Sequence, residues 1–145
     1  MLRIEIGGGR FLVPCREVER VITPPPLSPM PCTPAAVLGA FIHRGALTRV
    51  VDLCRLLYGT RSEQRISTRV ILARVADGSE ACTLGLLAER VVEARACEGT
   101  PISGNGEAGC FRLGWVAEDS TLYQLLDVRA VARAAGIDGT PPAFV

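Results

Sequence analysis

A dense run of prolines limits what this chain can fold into more than any other feature. Residues 24–34, PPPLSPMPCTP, hold six of the ten prolines in the 145 residues. Proline lacks a backbone N–H and fixes φ, so neither a helix nor a central strand passes through such a segment. We therefore predict a stiff, extended, Pro-rich connector over residues 24–34.

Short apolar runs separated by turn residues fill the rest of the chain. Residues 2–6 alternate apolar and polar, Gly7-Gly8-Gly9 supplies a turn, and residues 10–13 return, which predicts an opening hairpin. Many short strands joined by close turns are typical of β-barrels and sandwiches. We predict further strands at 37–42, 47–53, 67–76, 81–88, 91–96, 110–117 and 121–126.

Two segments interrupt this strand pattern. In residues 15–22 the apolar Val18, Val21 and Ile22 are spaced i, i+3, i+4, which predicts one or two helical turns after Pro14. Residues 98–109 hold four glycines, which predicts a long mobile loop.

A strand–aspartate–helix–glycine pattern occurs twice, as VVDLCRLLYG and QLLDVRAVARAAG. Asp52 and Asp127 each precede a short helical segment, where a carboxylate accepts backbone N–H groups of the first turn. Gly59 and Gly136 follow these segments as helix terminators. The repetition predicts two related lobes, each closing with a capped helix.

Composition argues against several classes of function. Arginine supplies all 16 basic charges against 15 acidic ones, and the signs are interspersed without a basic block, so we expect no nucleic-acid partner. The N-terminal residues lack a signal-peptide pattern and no apolar run approaches ~18 residues, so we expect a cytoplasmic protein without direct membrane insertion. In that compartment the six cysteines stay reduced. The sequence contains no CxxC pair, so we predict no metal site.

The one histidine lies in the stretch FIHRGALTRVVDL, residues 41–53. A small enzyme would pair His43 with a cysteine nucleophile, but none of the cysteines has a local catalytic signature. Arg44 lies between two apolar runs and next to Gly45, so it is either an exposed turn residue or a cation that a rigid turn presents to a partner. We predict no catalytic residue and no cofactor.

Several phrases of the chain resemble the CheW-type chemotaxis coupling proteins. The segment VLGAFIHRGALTRVVDL matches that family's pattern of glycine, arginine–glycine and valine–aspartate–leucine in register, while His43 and Arg49 depart from it. LGLLAERVVEA, residues 84–94, is similar to a second family segment, with Ala88-Glu89 in place of Val-Asp. The opening hairpin and the closing YQLLDVRAVA also match, and ISTRVILA and LGLLAERV resemble the surface-sensing, Wsp-like subtype.

The resemblance implies a fold and a role. The fold is mainly β: two five-stranded SH3-like β-barrel lobes around a shared apolar core, intertwined in a single CheW-like domain over residues 1–145. Second-lobe strands fall at about 67–117. The role is a non-catalytic adaptor, or scaffold, that couples the cytoplasmic tips of methyl-accepting receptors to the regulatory domain of the chemotaxis histidine kinase in membrane-associated arrays. By position, the partner-binding residues are Val18, Arg20, Gly39, His43, Arg44, Gly45 and Val91.

Two alternatives stay open at this point. A divergent family member would bind only one of the two partners, which the Pro-rich connector and the unusual His43 make worth testing. A small Cys/His enzyme is the other, and it requires a thiol within hydrogen-bond reach of His43.

Overall fold

A computed structural model describes residues 1–77, 80–94, 100–102 and 111–136 of the chain. Most of the glycine-rich segment predicted as a mobile loop, and the chain beyond residue 136, lie outside these residues. The described part is mainly β, as predicted. Its strands are β1 Leu2–Ile6, β2 Gly9–Val13, β3 Val18–Ile22, β4 Val37–His43, β5 Ala46–Asp52, β6 Arg69–Asp77, β7 Glu80–Ala88, β8 Arg90–Ala94, β9 Thr100–Ile102, β10 Arg112–Glu118 and β11 Thr121–Leu126, and its helices are α1 Leu53–Tyr58 and α2 Val128–Ala134.

The strands form two sheets that exchange parts of the chain. One is six-stranded in the order β8-β1-β2-β11-β10-β9, and the other is five-stranded in the order β3-β6-β7-β5-β4. Each contains one parallel pair, β2 with β11 and β5 with β7, and the other pairs are antiparallel. The six-stranded sheet exceeds the expected five because β9, inside the predicted loop, adds to β10. The range 67–117, predicted as second-lobe strands, divides between the two sheets.

A shared core lies between the sheets. In β1 the alternating Leu2, Ile4 and Ile6 are almost fully buried, as the period-2 pattern of a half-buried strand requires. They join apolar side chains of the five-stranded sheet, including Ile71 and Leu86, in one large cluster. This continuous core joins the two sheets.

The five-stranded sheet also encloses a small core of its own on its other face. Val50, Val70, Leu72 and Leu87 are buried there, and apolar side chains of both edge strands pack against them. Those edge residues are Ile22 of β3 and Leu38 and Phe41 of β4. Because the two edges of the sheet reach the same cluster, the sheet curls strongly toward a barrel.

Of the one or two helical turns predicted over residues 15–22, the structure has a single short turn, and the prediction is wrong from Val18 onward. Cys15–Glu17 form one turn of 3-10 helix, and β3 follows at once, paired antiparallel with β6. A β-bulge between Val18 and Arg20 shifts the strand register. The inserted residue places Val18 and Val21 both against the shared core, although they are three apart. Because of the bulge, two inward-facing residues of a strand have the i, i+3 spacing that is typical of a helix.

The Pro-rich connector forms no helix, and it lies along the outer edge of β4. Ser28 exchanges two backbone hydrogen bonds with Ala40, at 2.9 and 3.0 Å. Gly39 allows this approach, because a Cβ there would lie 2.5 Å from the Ser28 carbonyl oxygen. The connector thus covers an edge strand that would otherwise expose unpaired backbone groups.

Both predicted aspartate caps are present. Asp52 accepts hydrogen bonds from the backbone N–H groups of Cys54 and Arg55 at the start of α1, and Asp127 accepts one from Ala130 in α2. Gly59 follows α1 with φ of 75° and Gly136 follows α2 with φ of 76°, the left-handed conformation that glycine adopts most easily.

Candidate partner-binding surface

The β4–β5 hairpin ends in a tight turn made by Arg44 and Gly45. His43 pairs with Ala46, so only these two residues connect the strands. Both have positive φ, 50° and 79°, as a two-residue type I′ turn requires. An arginine in this conformation is strained by about 1–2 kcal/mol relative to the right-handed region. The turn places the Arg44 side chain, 66% exposed, at the tip of the hairpin.

Glu19 of β3 reaches the same tip. Its Oε1 lies 3.6 Å from Nη1 of Arg44, and its Oε2 accepts a hydrogen bond from the Thr83 hydroxyl at 3.3 Å. The pair is exposed, so it stabilises the fold by roughly 0–1 kcal/mol. Its main effect is to direct the guanidinium. No local sequence pattern marks Glu19, because its contact with Arg44 depends on the curling that brings β3 close to the tip of β4–β5.

Two exposed apolar side chains flank the turn. Ile42 and Leu47 face each other across the hairpin and are 66% and 56% exposed. Their neighbours Phe41 and Thr48 point to the opposite face, where Phe41 packs against the small core and Thr48 is buried. An arginine beside an open apolar pair has the composition of an interface centre. The sequence carried one signal for this exposed pair: side chains alternate along a strand, so if Phe41 faces inward, Ile42 faces outward.

His43 lies half-buried at the end of β4. Its ring meets Phe41 edge-on, with centroids 6.1 Å apart. Its Nε2 is buried and has no hydrogen-bond partner among the described residues. None of the described thiols therefore lies within reach of that nitrogen, as the Cys/His enzyme would need.

Val18 and Arg20 belong to strand β3, which corrects their predicted place on a helix. Val18 is half-buried and packs against the shared core, whereas Arg20 is exposed. They flank Glu19, the residue that contacts Arg44. Val18 and Arg20 therefore lie next to the residue of β3 that reaches the hairpin tip.

Gly39 and Val91 lie away from the turn. Gly39 is buried under the connector, so its role is the close packing of Ser28 rather than direct contact. Val91 is half-buried on β8 of the six-stranded sheet, where it pairs with Ile4.

The described cysteines differ in environment: Cys15 and Cys32 are exposed, Cys82 is half-buried, and only Cys54 among them is buried. Cys54 is buried in α1, with its Sγ 3.7 Å from the Thr60 hydroxyl. Burial raises the pKa of the Cys54 thiol, with the nearby Glu89 adding to the rise and the Thr60 hydrogen bond opposing it. A raised pKa keeps sulfur in the unreactive thiol form.

Within the described ranges, no group of three or more His, Cys, Asp or Glu side chains is arranged to hold a metal ion. Over the same ranges, no helix has both the length and the apolar character to cross a membrane.

The described part of the chain thus has two curved sheets around one core, with a charged turn and an exposed apolar pair at a hairpin tip. The chain belongs to the CheW-like domain family, whose pattern it matches over residues 1–136. Members of this family are non-catalytic adaptors, which places this chain among coupling proteins and not among enzymes.

One curated protein and one solved structure are similar to this chain. Protein FrzA of Myxococcus xanthus is 34% identical over 90 residues, which cover 62% of this chain and 54% of FrzA. The match therefore spans about half of FrzA's own length. The crystal structure of the scaffolding protein TtCheW of Thermoanaerobacter tengcongensis superimposes with a TM-score of 0.72 at 16% identity, over 86% of this chain and 81% of that one. This likeness confirms the predicted fold of SH3-like lobes.

Proposed function

We propose that this protein is a cytoplasmic adaptor that couples methyl-accepting receptors to the regulatory domain of a CheA-type histidine kinase. The observation that carries the proposal is the Arg44-Gly45 turn, whose geometry holds one guanidinium at an exposed tip beside Ile42 and Leu47. Membership of the CheW-like family supports the choice of partners. Association with membrane receptor arrays follows from the same proposal.

The turn meets the physical needs of such a contact. The backbone of a two-residue hairpin is fixed before binding, so little chain entropy is lost on association. Glu19 directs the guanidinium without burying it, which leaves its other N–H groups free for a carboxylate or for backbone carbonyls of the partner. Ile42 and Leu47 supply apolar area around the charge.

The substitution Arg44→Asn tests the contribution of the guanidinium to binding without disturbing the turn. Asparagine followed by glycine is the favoured pair for a type I′ turn, so the substitution removes the guanidinium while the hairpin keeps its shape. We expect an unchanged or higher Tm and an affinity for the kinase regulatory domain weakened about tenfold, the effect of one interface arginine of roughly 1.4 kcal/mol. Isothermal titration with the purified domain measures it.

Arg61→Asn is the matched control, because Arg61 is an exposed arginine beside the Pro-rich connector and not at the hairpin tip. We expect its affinity to equal that of the natural protein. A folded Arg44→Asn variant that binds both partners as tightly as the natural protein would refute the role of Arg44.

Binding to both partners separates the adaptor from the divergent member. A coupler binds a receptor cytoplasmic fragment and the kinase regulatory domain, in separate titrations and in one ternary complex. Binding to the kinase domain alone, or to the receptor fragment alone, would replace the proposal with the one-partner alternative.

A further inference from the structure

A cleft between the 3-10 turn, β6 and α2 gathers three arginines from three separate parts of the chain. Arg16 comes from the 3-10 turn, Arg74 from β6 and Arg129 from the first turn of α2. We call it the arginine cleft. Its described lining residues are Arg16, Glu17, Arg74, Val75, Ala76, Ala81, Val128 and Arg129.

None of these three arginines has a carboxylate partner among the described residues, a property that they share with other exposed arginines such as Arg20 and Arg61. What sets them apart is that they share one cleft. Arg3, Arg65 and Arg90 each form an ion pair with a glutamate. Arg16 and Arg74 make no salt bridge or hydrogen bond to any described residue, and Arg129 donates one hydrogen bond, to the Ala76 carbonyl oxygen at 3.3 Å. Among the described contacts, most of the donor groups of these three arginines are therefore unused.

One acidic side chain, Glu17, lines the described part of the cleft, and Asp127 lies close to it. Burial raises the pKa of the Glu17 carboxyl, and the nearby Asp127 adds to the rise, while Arg16 and Arg129 oppose it. Asp127 is itself engaged in capping α2 through the N–H of Ala130. The described side chains that line the cleft thus comprise three guanidinium groups and one carboxyl group.

The floor of the cleft is apolar. Val75 and Val128 are buried beneath it, and the small Ala76 and Ala81 leave its mouth open. An apolar floor lowers the local dielectric and strengthens attraction between the guanidinium groups and an anion. It also accommodates the methylene groups of glutamate side chains.

We propose that the arginine cleft is a second docking site, which binds an acidic, glutamate-rich segment of a partner protein. Guanidinium forks match carboxylates in pairs, and three of them on separate segments fit successive carboxylates of one peptide. A protein segment fits better than a nucleic acid, because the chain has a net charge of only +1 and no basic stripe along which a phosphate backbone would run. The site does not use Arg44, so it stands independently of the proposed adaptor contact.

Hexaglutamate is the probe for this site, and the ¹⁵N-labelled full-length chain is the protein. We expect saturable shifts of the backbone amides of Glu17, Ala76 and Arg129, which weaken as salt is added. Arg74→Gln and Arg129→Gln should each reduce the affinity about threefold to tenfold. Arg61→Gln, which changes an exposed arginine outside the cleft, should leave it unchanged.

Hexaglutamine and an oligothymidylate complete the experiment. We expect hexaglutamine to cause no shifts and oligothymidylate to bind more weakly than hexaglutamate. Shifts centred away from the cleft, an Arg74→Gln variant that binds like the natural protein, or an oligothymidylate that binds as tightly as the peptide would each overturn the proposal. All the substituted arginines are exposed, and equal Tm values confirm that the variants are folded.

Discussion

The two sheets use the face turned away from the shared core in different ways. The five-stranded sheet fills this face with Val50, Val70, Leu72 and Leu87. On the six-stranded sheet the same face holds an ion pair, because Arg3 alternates with the core residues of β1. Its guanidinium lies 2.5 Å from Glu118 and stacks over the ring of Tyr123.

These two outer faces are stabilised by different interactions. An apolar cluster is stabilised by burial and close packing, so its stability falls with any lost volume. An ion pair removed from water gains little net energy but makes each charge depend on the other. We therefore expect the two faces to respond differently to single and to paired substitutions.

Leu72→Ala should have the largest effect. Leu72 is fully buried in the small core of the five-stranded sheet, so the substitution leaves a cavity and should lower the free energy of unfolding by about 2–5 kcal/mol. Urea denaturation followed by circular dichroism measures this. Leu122→Ala on the exposed side of β11 is the control, expected within about 0.5 kcal/mol of the natural protein. Equal losses for both would show that the small core is loosely packed.

The two capping aspartates sharpen the comparison between the lobes. Asp52 is buried and, besides capping α1, accepts hydrogen bonds from the backbone N–H and the hydroxyl of Ser62. Asp127 only caps α2 among the described contacts. We expect Asp52→Ala to cost about 2–4 kcal/mol and Asp127→Ala about 0.5–2 kcal/mol in unfolding free energy. The reverse order in thermal denaturation would contradict this account of Asp52.

Arg3→Met should cost about 1–3 kcal/mol in unfolding free energy, because it leaves the Glu118 carboxylate, 11% exposed, without its guanidinium. Combining it with Glu118→Leu should recover most of that loss, since an apolar pair replaces a desolvated charge. A double variant less stable than either single variant would show that the pair is net stabilising.

Glu17→Gln should have the smallest effect. Burial raises the pKa of the Glu17 carboxyl in the folded protein, so the folded state favours the protonated form. The carboxylate therefore destabilises the fold as pH rises through this raised pKa, and it has no such effect well below pH 4.5, the ordinary value. We expect Glu17→Gln to raise Tm by ~1–2 °C at pH 7 and by nothing at low pH. A lower Tm at pH 7 would contradict the sign.

Local features of this fold were readable from the sequence. The β4–β5 hairpin, both capped helices and the glycine terminators follow from residue preferences within a few positions, and the prediction matched them. The close approach of Ser28 to Gly39 joins segments about ten residues apart, and the absence of a side chain at Gly39 allows it.

Features that depend on distant segments were not readable. The bulge in β3 arises from its pairing with β6, so residues 15–22 looked helical. Glu19 meets Arg44 only because the sheet curls, and Arg3 meets Glu118 from far along the chain. The arginine cleft likewise exists only after the 3-10 turn, β6 and α2 have packed together.

The parallel pairing of β2 with β11 has a consequence for the order of folding. Every strand of the five-stranded sheet lies within residues 18–88, so during synthesis it can form while the rest of the chain is still being made. The six-stranded sheet cannot close until Gln124 is available to pair with Phe11, and such distant contacts form slowly. β2 therefore lacks this partner until β11 has been made, and until then the six-stranded sheet that covers one side of the shared core is incomplete.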